Sequence, residues 1–433
     1  MTHEQWLKVG KFLVSMRKTI TWLSLTVGMA FLSANGLALA DAPQQPVNLK
    51  AGQRNLAQQP VNPAAGQVSV PLRPLNLDES QVNLNALGLD EQLWGNPGQP
   101  GDRQALLKSI DNSLRFLASP KAAEVYRKYP VPGITRDRVR RSLVRFRQLV
   151  RNSRSPAELQ AAVQREFVFY KSVGKDEQGT VLFTGYFEPI YAASRRQSAE
   201  YRYPLYTLPA NFSRWKTPHP TRAELEGEDG LGTKSQLRGG ELVWLRDRLE
   251  AFLVQVQGSA RLQLPDGKQM TVGYAGKTNY PYISIGRELV KDGKLPLEGL
   301  TLQVLIDYFR ANPSELSQYL PRNQSFVFFK ETYGAPPTGS INVPVTAERS
   351  IATDKSLMPP GALALINAPI PYSNATNQLE TRMVNRYVLD QDTGSAIQGA
   401  GRVDIFMGTG PKAGDRAGAI NGTGELYYLL LKK

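Results

Sequence analysis

Apolar residues at helical spacing first appear after residue 100. Asp102 precedes a segment in which leucine and isoleucine recur every three or four positions, which predicts an amphipathic helix capped by this aspartate. The predicted apolar face consists of Leu106, Ile110, Leu114 and Leu117. The segment Ser155–Glu158 has the order of a capping box with proline in the first turn, and it predicts a helix that continues through Phe169. A further helix is predicted over Thr301–Ala311.

An arginine-rich helix is predicted between these segments. Eight arginines fall between residues 136 and 154, among apolar residues that again recur at helical spacing. The apolar set is Val139, Leu143, Phe146 and Val150. The arginines are therefore expected on the solvent-exposed face of the helix. Such a face is most often only solvated, and the alternative is attraction to an anionic wall polymer or membrane surface.

Beyond residue 180 the pattern changes to β-rich runs and turns. Strands are predicted over Val181–Phe187, Leu253–Leu264, Met270–Tyr274 and Phe326–Phe329. Pro265–Gly267 has the composition of a hairpin turn between two of these runs. Residues 341–433 contain short apolar runs separated by glycine and proline, which predicts an all-β barrel.

The first 99 residues have the composition of export and linker segments. Basic residues in Met16–Lys18 precede an apolar run, Ile20–Leu32, and Ala38–Ala40 supplies small residues for cleavage. We expect a secretory signal peptide over residues 1–40, with an uncleaved anchor as the alternative, although the run is short for a membrane span. Residues 41–99 are rich in Gln, Pro, Asn and Ala and are expected to form a disordered linker.

Composition restricts the possible chemistry to carboxylates. The 433-residue chain has no cysteine and only two histidines, His3 and His219, so thiol chemistry and a multi-histidine metal site are excluded. Its 52 basic and 38 acidic residues give a net charge of +14. In a cytosolic protein this excess would indicate nucleic-acid binding, but with an export signal we expect no nucleic acid as partner. Catalysis, if present, should depend on aspartate or glutamate.

Asp404 is the most informative of these carboxylates. It lies in an apolar run, Val403–Met407, that leads directly into a glycine-rich turn. A carboxylate among apolar side chains resists ionisation, so its pKa rises and it can act first as an acid and then as a base. A hydrogen-bonded structural aspartate is the commoner outcome for such a residue.

Three aspartates stand in contexts that resemble a known family. Asp354 follows Ile-Ala-Thr, Asp392 lies in Gln-Asp-Thr-Gly, and Asp404 lies in Val-Asp-Ile-Phe. These contexts resemble the 3D domain, named for three such aspartates, of the membrane-bound lytic transglycosylase A (MltA) family of murein-cleaving enzymes. Further segments resemble motifs of that family and follow its order over roughly residues 182–431. They are Thr184–Pro189, Gln255–Ser259, Tyr274–Gly276, Ser284–Arg287, Ser325–Lys330 and Pro359–Gly361.

The sequence also departs from the family pattern. Ala260 stands where a second glycine often follows Gly-Ser, and Lys277–Tyr280 varies a loop that usually contains glycine. The type members of the family are lipoproteins, whereas this chain has no cysteine to carry a lipid. Membrane anchoring therefore cannot be carried over. We expect a location in the periplasm or cell envelope, with at most peripheral contact with the outer membrane.

The resemblance implies a mainly β fold with N-terminal helices. The expected core is a double-psi β-barrel of the barwin/endoglucanase type, with a second β-rich domain inserted between its parts. The implied bounds are 100–188 for the helices and first barrel strand, 189–332 for the insert, and 333–433 for the 3D domain that completes the barrel. Glycan strands of peptidoglycan would bind between the two.

The resemblance also implies a reaction and a set of site residues. A lytic transglycosylase cleaves the β-1,4 bond between N-acetylmuramic acid and N-acetylglucosamine and leaves 1,6-anhydromuramic ends, without metal or cofactor. Asp404 would be catalytic, and Asp392 and Asp354 would support it. Substrate contacts would come from Thr184, Tyr186, Gln257, Ser259, Asn279 and Tyr282. Two alternatives remain: a non-catalytic glycan-binding or wall-loosening barrel, and a true glycoside hydrolase that uses Asp404 with Asp392.

Overall fold

The computed structural model of the chain describes residues 70–76, 87–96 and 99–433. The predicted signal peptide and most of the predicted linker lie outside these residues. The strands of the described part, labelled β1 to β16 in chain order, are Leu72–Pro74, Gly95–Asn96, Gln99–Pro100, Phe167–Ser172, Val181–Glu188, Ile190–Ser194, Tyr203–Tyr206, Glu241–Leu245, Ser259–Gln263, Gln269–Lys277, Val327–Glu331, Ser350–Ala352, Leu363–Ser373, Leu379–Asp392, Arg402–Thr409 and Asn421–Leu431. Its α-helices, labelled α1 to α10, are Arg103–Ala118, Pro120–Arg127, Arg136–Asn152, Pro156–Glu166, Arg222–Glu226, Arg248–Gln257, Ile285–Lys291, Leu302–Ala311, Leu316–Tyr319 and Pro411–Ala419.

Six strands close into a barrel. In the largest sheet the strand order is β1-β4-β16-β13-β14-β12-β15-β5, and β16 also pairs with β5. The strands from β16 to β5 in that order therefore form a closed ring, and β4 and β1 extend the sheet outside it. Two of the pairings, β5 with β15 and β12 with β14, are parallel. Closure leaves no free edge between the ring strands and fixes their register.

The first four helices belong to the same apolar core as the barrel. Leu106 of α1 and Leu143 of α3 are fully buried in that core. The ring of Phe146, also on α3, lies 4.8 Å from the ring of Tyr387 on β14. Burial of such residues at helical spacing stabilises the helix–barrel contact.

A second sheet is formed by the chain between β5 and β12. Its strand order is β11-β10-β9-β6-β8-β7. It has its own apolar core, which includes Leu245, Val254 and Leu262. Helices α7 to α9 enclose a further small core around Leu289, Phe309 and Tyr319.

Several predicted elements are confirmed, and two have wrong bounds. Strand β5 covers the predicted Val181–Phe187, and β9 and β10 form the predicted hairpin around Pro265–Gly267. The helix expected to continue through Phe169 ends at Glu166, because the β-branched and aromatic residues that follow form β4. The run Leu253–Leu264 is not one strand: it begins in helix α6, which ends at Gln257 and is followed by Gly258 with a left-handed φ of 79°. Most residues of α6 are buried and many are apolar, so its sequence pattern resembled the apolar run of a buried strand.

The C-terminal third differs from the expected series of short strands. Strands β13, β14 and β16 are 11, 14 and 11 residues long, and helix α10 lies between β15 and β16. Gly185 on β5 permits the close approach of this helix, because a Cβ there would lie 2.7 Å from the Cα of Ala417. The apolar alternation of the strands was visible in the sequence, whereas the small-residue helix was not.

The predicted linker over residues 41–99 is wrong in its last part. Leu72–Pro74 pairs with β4, and Asp90 is buried against the guanidinium of Arg349, which is itself fully buried. Asp102, the predicted helix cap, makes no side-chain capping bond and accepts the Nε–H of Arg349 at 2.8 Å instead. A buried guanidinium requires carboxylate partners, and this requirement holds the segment on the barrel.

The arginine-rich helix is α3. Arg136, Arg140 and Arg151 are exposed and have no ion pair within 4.0 Å among the described residues, whereas Arg145 and Arg147 pair with Glu166 and Asp111. Arg138 is an exception to the expected solvent face, because it is buried and donates to the carbonyl of Leu431 at 2.9 Å. No helix among the described residues has both the length and the apolar character needed to cross a bilayer.

Candidate active site

The site begins with the parallel pairing of β5 and β15. This pairing places Thr184 directly opposite Asp404, 220 residues further along the chain. The Thr184 hydroxyl donates to Asp404 Oδ1 at 2.9 Å. The neighbours of Asp404 on its own strand, Val403 and Ile405, are fully buried, and the carboxyl group itself is half-buried. Alternation along β15 therefore turns the carboxyl group to the opposite side from its apolar neighbours.

Burial raises the pKa of Asp404 to about 6. The hydrogen bond from Thr184 and the positive charge of Arg402 oppose this rise, and the charge of Asp392 adds to it. A carboxyl group with such a pKa is present in both protonation states near neutral pH. It can therefore donate a proton and take one back without a large free-energy cost.

Asp392, at the end of β14, is held by three donors. Its Oδ2 accepts the hydroxyl of Tyr186 at 2.8 Å, and its Oδ1 accepts the backbone N–H groups of Ser340 and Thr393 at 2.9 and 2.8 Å. Burial nevertheless raises the pKa of Asp392. Both oxygens of Asp392 accept hydrogen bonds from protein groups. This carboxylate is therefore suited to hold the surrounding loops and the Tyr186 ring in place.

Asp354 fixes a loop beside the site. It accepts from the hydroxyl and backbone N–H of Ser356 at 2.6 and 3.0 Å, and from the backbone N–H of Gly399 at 2.8 Å. Burial alone would raise the pKa of Asp354, but the bonds from Ser356 and Gly399 outweigh burial and lower it. The hydrogen bond from Gly399 therefore links the turn after β12 to the loop that leads into β15.

Asp404 lines a groove with a volume of about 710 Å³. Its walls come from barrel strands, from α6 and α7, and from the segment that leads into α8. The polar side chains of the lining are those of Thr184, Tyr186, Arg222, Gln255, Gln257, Tyr282, Ser284, Arg287, Thr301, Asn323, Ser325, Ser395, Gln398, Arg402, Asp404 and Asn421. Asp404 is the one carboxylate in this lining of described residues.

Four of the six predicted substrate contacts lie in the groove lining. These are Thr184, Tyr186, Gln257 and Tyr282. Gln257 is also tied to the barrel, because its side-chain oxygen accepts the backbone N–H of Phe187 at 3.0 Å.

The other two predicted contacts, Ser259 and Asn279, are absent from the lining. Ser259 follows the αL residue that ends α6, and it begins β9 opposite Gly273. Asn279 accepts the backbone N–H of His219 at 3.0 Å and so joins two loops of the protein. Their residue types suit sugar binding, but the sequence did not indicate where these residues lie relative to the groove.

Two of the three arginines in the groove lining, Arg287 and Arg402, were not predicted as site residues. Arg402 could have been found, because it lies two residues before Asp404 on one strand and residues i and i+2 share a face. Arg287 ends the Ser284–Arg287 segment that resembles a family motif, but that resemblance gave it no role in substrate binding. Among the described residues, no three His, Asp or Glu side chains form a cluster that could hold a metal ion.

Two family models match parts of this chain. Residues 182–330 match the MltA specific insert domain, and residues 349–430 match the 3D domain. The membrane-bound lytic murein transglycosylase A of Escherichia coli K12 is 34% identical over 260 residues, which cover 59% of this chain and 67% of that protein. The Vibrio cholerae protein of the same name is 34% identical over 263 residues, 60% of this chain and 68% of that protein.

The chain belongs to the MltA family.

Solved MltA-family structures have the same overall fold. The E. coli MltA structure with bound chitohexaose has a TM-score of 0.63 and 26% sequence identity, and covers 86% of this chain and 97% of that one. The membrane-bound lytic murein transglycosylase of Agrobacterium tumefaciens has a TM-score of 0.60 and 26% identity, with 74% and 92% covered. The mainly β architecture with a closed six-stranded barrel is thus shared with this family.

Proposed function

We propose that this chain is a peptidoglycan lytic transglycosylase. It would cleave the β-1,4 bond between N-acetylmuramic acid and N-acetylglucosamine and leave 1,6-anhydromuramic ends. Membership of the MltA family and the names of its relatives support this activity. The glycan bound in the E. coli structure supports a saccharide as the occupant of the groove.

The observation that carries the proposal is the single carboxylate in the groove. A glycoside hydrolase needs a second carboxylate, either as nucleophile or as the base that activates water. Here the nearest candidate, Asp392, is absent from the lining, and its oxygens already accept three protein donors. A lytic transglycosylase needs one acid–base group only, because the substrate supplies its own nucleophile.

In the proposed mechanism Asp404 acts twice. As a carboxylic acid it gives its proton to the glycosidic oxygen while the bond between that oxygen and C1 of muramic acid breaks. The sugar then has oxocarbenium character, and its own 6-hydroxyl oxygen forms a bond to C1. Asp404, now a carboxylate, takes the proton of that hydroxyl and returns to its starting state. An intramolecular nucleophile has an entropic advantage that free water lacks.

The other aspartates and the lining residues receive supporting roles. Asp392 would orient Tyr186, and Asp354 would hold the loop before β15. Thr184 would hold the Asp404 carboxyl group in one orientation, since its hydroxyl is 2.9 Å away. Tyr186, Gln257 and Tyr282 would contact the sugars, with rings against apolar sugar faces and the amide on hydroxyl groups. Ser259 and Asn279 are not proposed as contacts, given their positions.

Finer points of architecture and location belong to the same proposal. We infer that the closed barrel is a double-psi β-barrel and that residues 189–332 form a domain inserted into it. We also infer export to the periplasm, with peripheral contact to the envelope through the exposed arginines of α3. The mature N-terminus would be Asp41, and N-terminal sequencing of the protein from the envelope fraction tests this.

Product analysis in ¹⁸O-labelled water tests the reaction. Digestion of murein should give muramic ends without ¹⁸O and one water lighter than hydrolytic products, because the attacking oxygen belongs to the sugar. Reducing ends that carry ¹⁸O would refute the proposal and assign Asp392 as a catalytic base. Absence of any cleavage by the folded protein would instead favour a glycan-binding or wall-loosening module.

A further inference from the structure

We propose that Arg287 and Arg402 form a subsite for a carboxylate carried by the glycan, so that the groove binds acidic saccharides in preference to neutral ones. This inference rests on the proposed function, because it names the substrate class of the same groove. It also assigns a role to two lining residues that the mechanism leaves unused.

The two arginines reach the groove from different elements. Arg402 is the first residue of β15 in the barrel, whereas Arg287 lies in α7, which belongs to the chain between β5 and β12. Both line the same cavity as Asp404. Burial lowers the pKa of Arg402, Asp404 opposes this change, and the nearby charge of Arg287 adds to it. Two like charges that face one cavity repel each other unless an anion lies between them.

The guanidinium groups have unused hydrogen-bonding capacity. Arg402 is half-buried and donates to the hydroxyl of Thr184 at 3.3 Å. Neither Arg402 nor Arg287 has an ion pair within 4.0 Å among the residues that the structure describes. A guanidinium carries five N–H donors, and a partly buried one is costly without an anionic partner.

A third lining arginine, Arg222, shows what a saturated guanidinium looks like in this protein. It donates to Glu226, to the side chain of Gln255 and to two backbone carbonyl groups, and it is fully buried. Its donors are therefore occupied by the protein, and it has a structural explanation. The contrast indicates that Arg287 and Arg402 are available to a ligand.

The charges that face these arginines change during the proposed reaction. Asp404 attracts Arg402, but it must carry a proton when it acts as an acid. In that state the described lining contains no negative charge to balance the two guanidinium groups. A ligand carboxylate would then compensate them and form charge-assisted, bidentate hydrogen bonds.

Murein offers such a carboxylate, whereas a chain of N-acetylglucosamine does not. In peptide-free strands each muramic acid has a free lactyl carboxylate. In peptide-bearing strands the lactyl group is an amide, and the carboxylates belong to the stem peptide. Both sources present the same chemical group to the arginines, so the test must separate them.

Titration calorimetry on the full chain with Asp404→Asn measures binding without cleavage. The probes are peptide-free murein strands, the same strands with their lactyl carboxylates converted to amides, and peptide-bearing strands. We expect acidic peptide-free strands to bind about tenfold more tightly than amidated ones, the gain of one charge-assisted contact. In that background Arg287→Gln and Arg402→Gln should each remove most of this preference, and they should leave the affinity for amidated strands nearly unchanged. If only the peptide-bearing strands bind more tightly than amidated ones, the carboxylate comes from the stem.

Arg214→Gln is the matched control, because Arg214 is exposed and outside the groove lining. It should retain the preference. Equal affinity for acidic, peptide-bearing and amidated strands would overturn the proposal, as would an equal loss on acidic and amidated strands in the arginine variants. Arg287 is exposed, so its variant should fold even if Arg402→Gln does not. The proposed reaction is tested by its products and not by this binding, so the two can fail separately.

Discussion

At the scale of a single residue, Asp404 combines a chemical benefit with a structural cost. Burial that raises its pKa to about 6 supplies an acid near neutral pH, and the same burial penalises the ionised form in the folded protein. The unfolded chain ionises this aspartate at its ordinary, lower pKa. Asp404 therefore makes its full contribution to the stability of the folded protein only below the pKa that it has in the unfolded chain. The contribution is lost as the pH rises through about 6.

Asp404→Asn should consequently abolish activity and stabilise the protein. General acid–base catalysis typically accelerates a reaction about 10²- to 10⁴-fold. Because Asp404 would act as both the acid and the base, turnover should fall at least a hundredfold. Since one pKa unit corresponds to about 1.4 kcal/mol, the variant should gain at most about 3 kcal/mol above pH 6 and almost nothing near pH 4. Thermal unfolding at pH 4 and pH 8, together with anhydromuropeptide release, measures both effects. A folded variant that retained a tenth of wild-type turnover would contradict the assignment.

Asp354→Asn is the control of opposite sign. Bonds from Ser356 and Gly399 lower the pKa of Asp354, so the ionised group stabilises the fold above its unfolded pKa, and this contribution disappears as the pH falls through the lower folded value. This variant should be less stable than wild type at pH 8 and should approach it in acid. If both aspartate variants changed stability in the same direction at pH 8, burial would not explain the Asp404 shift.

The sequence predicts individual site residues only where their signal is local. Asp404 was identified from its apolar neighbours and its resemblance to a family motif. Its contact with Thr184, by contrast, depends on a pairing that spans 220 positions. Arg402 follows from strand alternation, and Arg287 does not follow from any local pattern. Ser259 and Asn279 show that suitable residue types near a site do not determine where their side chains point.

At the scale of elements, the predictions failed for segments whose residues are buried in the folded protein. Helix α6 is apolar on most sides, so the sequence could not distinguish it from a buried strand. Residues 87–96, before α1, were assigned to a linker, yet Asp90 binds Arg349 beside β12, as does the predicted cap Asp102. A long-range ion pair of this kind leaves no periodic signal. Long amphipathic helices and the β9–β10 hairpin, which depend on local pattern, were predicted well.

Arg349→Met should be strongly destabilising because it removes the buried guanidinium that pairs with Asp90 and Asp102, and leaves Asp90 only the more distant Arg386, at 3.5 Å. Removal of one partner from a buried ion pair costs about 3–5 kcal/mol. Urea unfolding followed by tryptophan fluorescence measures the free energy of unfolding. Arg382→Met is the matched control, because its ion pair with Glu380 is exposed on both sides and should contribute less than about 1 kcal/mol. Similar losses in the two variants would mean that the contact with residues 90 and 102 is not what holds this segment.

At the scale of the whole molecule, the groove is formed jointly by the barrel and by the region between β5 and β12. Thr184, Asp404 and Asn421 come from barrel strands, whereas Tyr282 and Arg287 come from the region between β5 and β12. Neither set forms the site alone. The sequence predicted that a glycan would bind between these parts, because the family motifs fall in both. It could not predict the wall residues, since these depend on how the two parts pack.

A saccharide bound in this groove should therefore protect both parts of the chain at once. Asp404→Asn protein saturated with chitohexaose should show slower amide hydrogen exchange in 284–302, which follows β10, and in 394–402, which leads into β15. At a hundredfold excess of ligand over Kd the folded state gains about 2.7 kcal/mol, enough to raise the unfolding temperature by several degrees. Cellohexaose, which lacks the acetamido groups, is the control ligand and should protect both segments less. Protection confined to one of the two segments would show that the sugar binds to one wall, and the groove would then not be the site of cleavage.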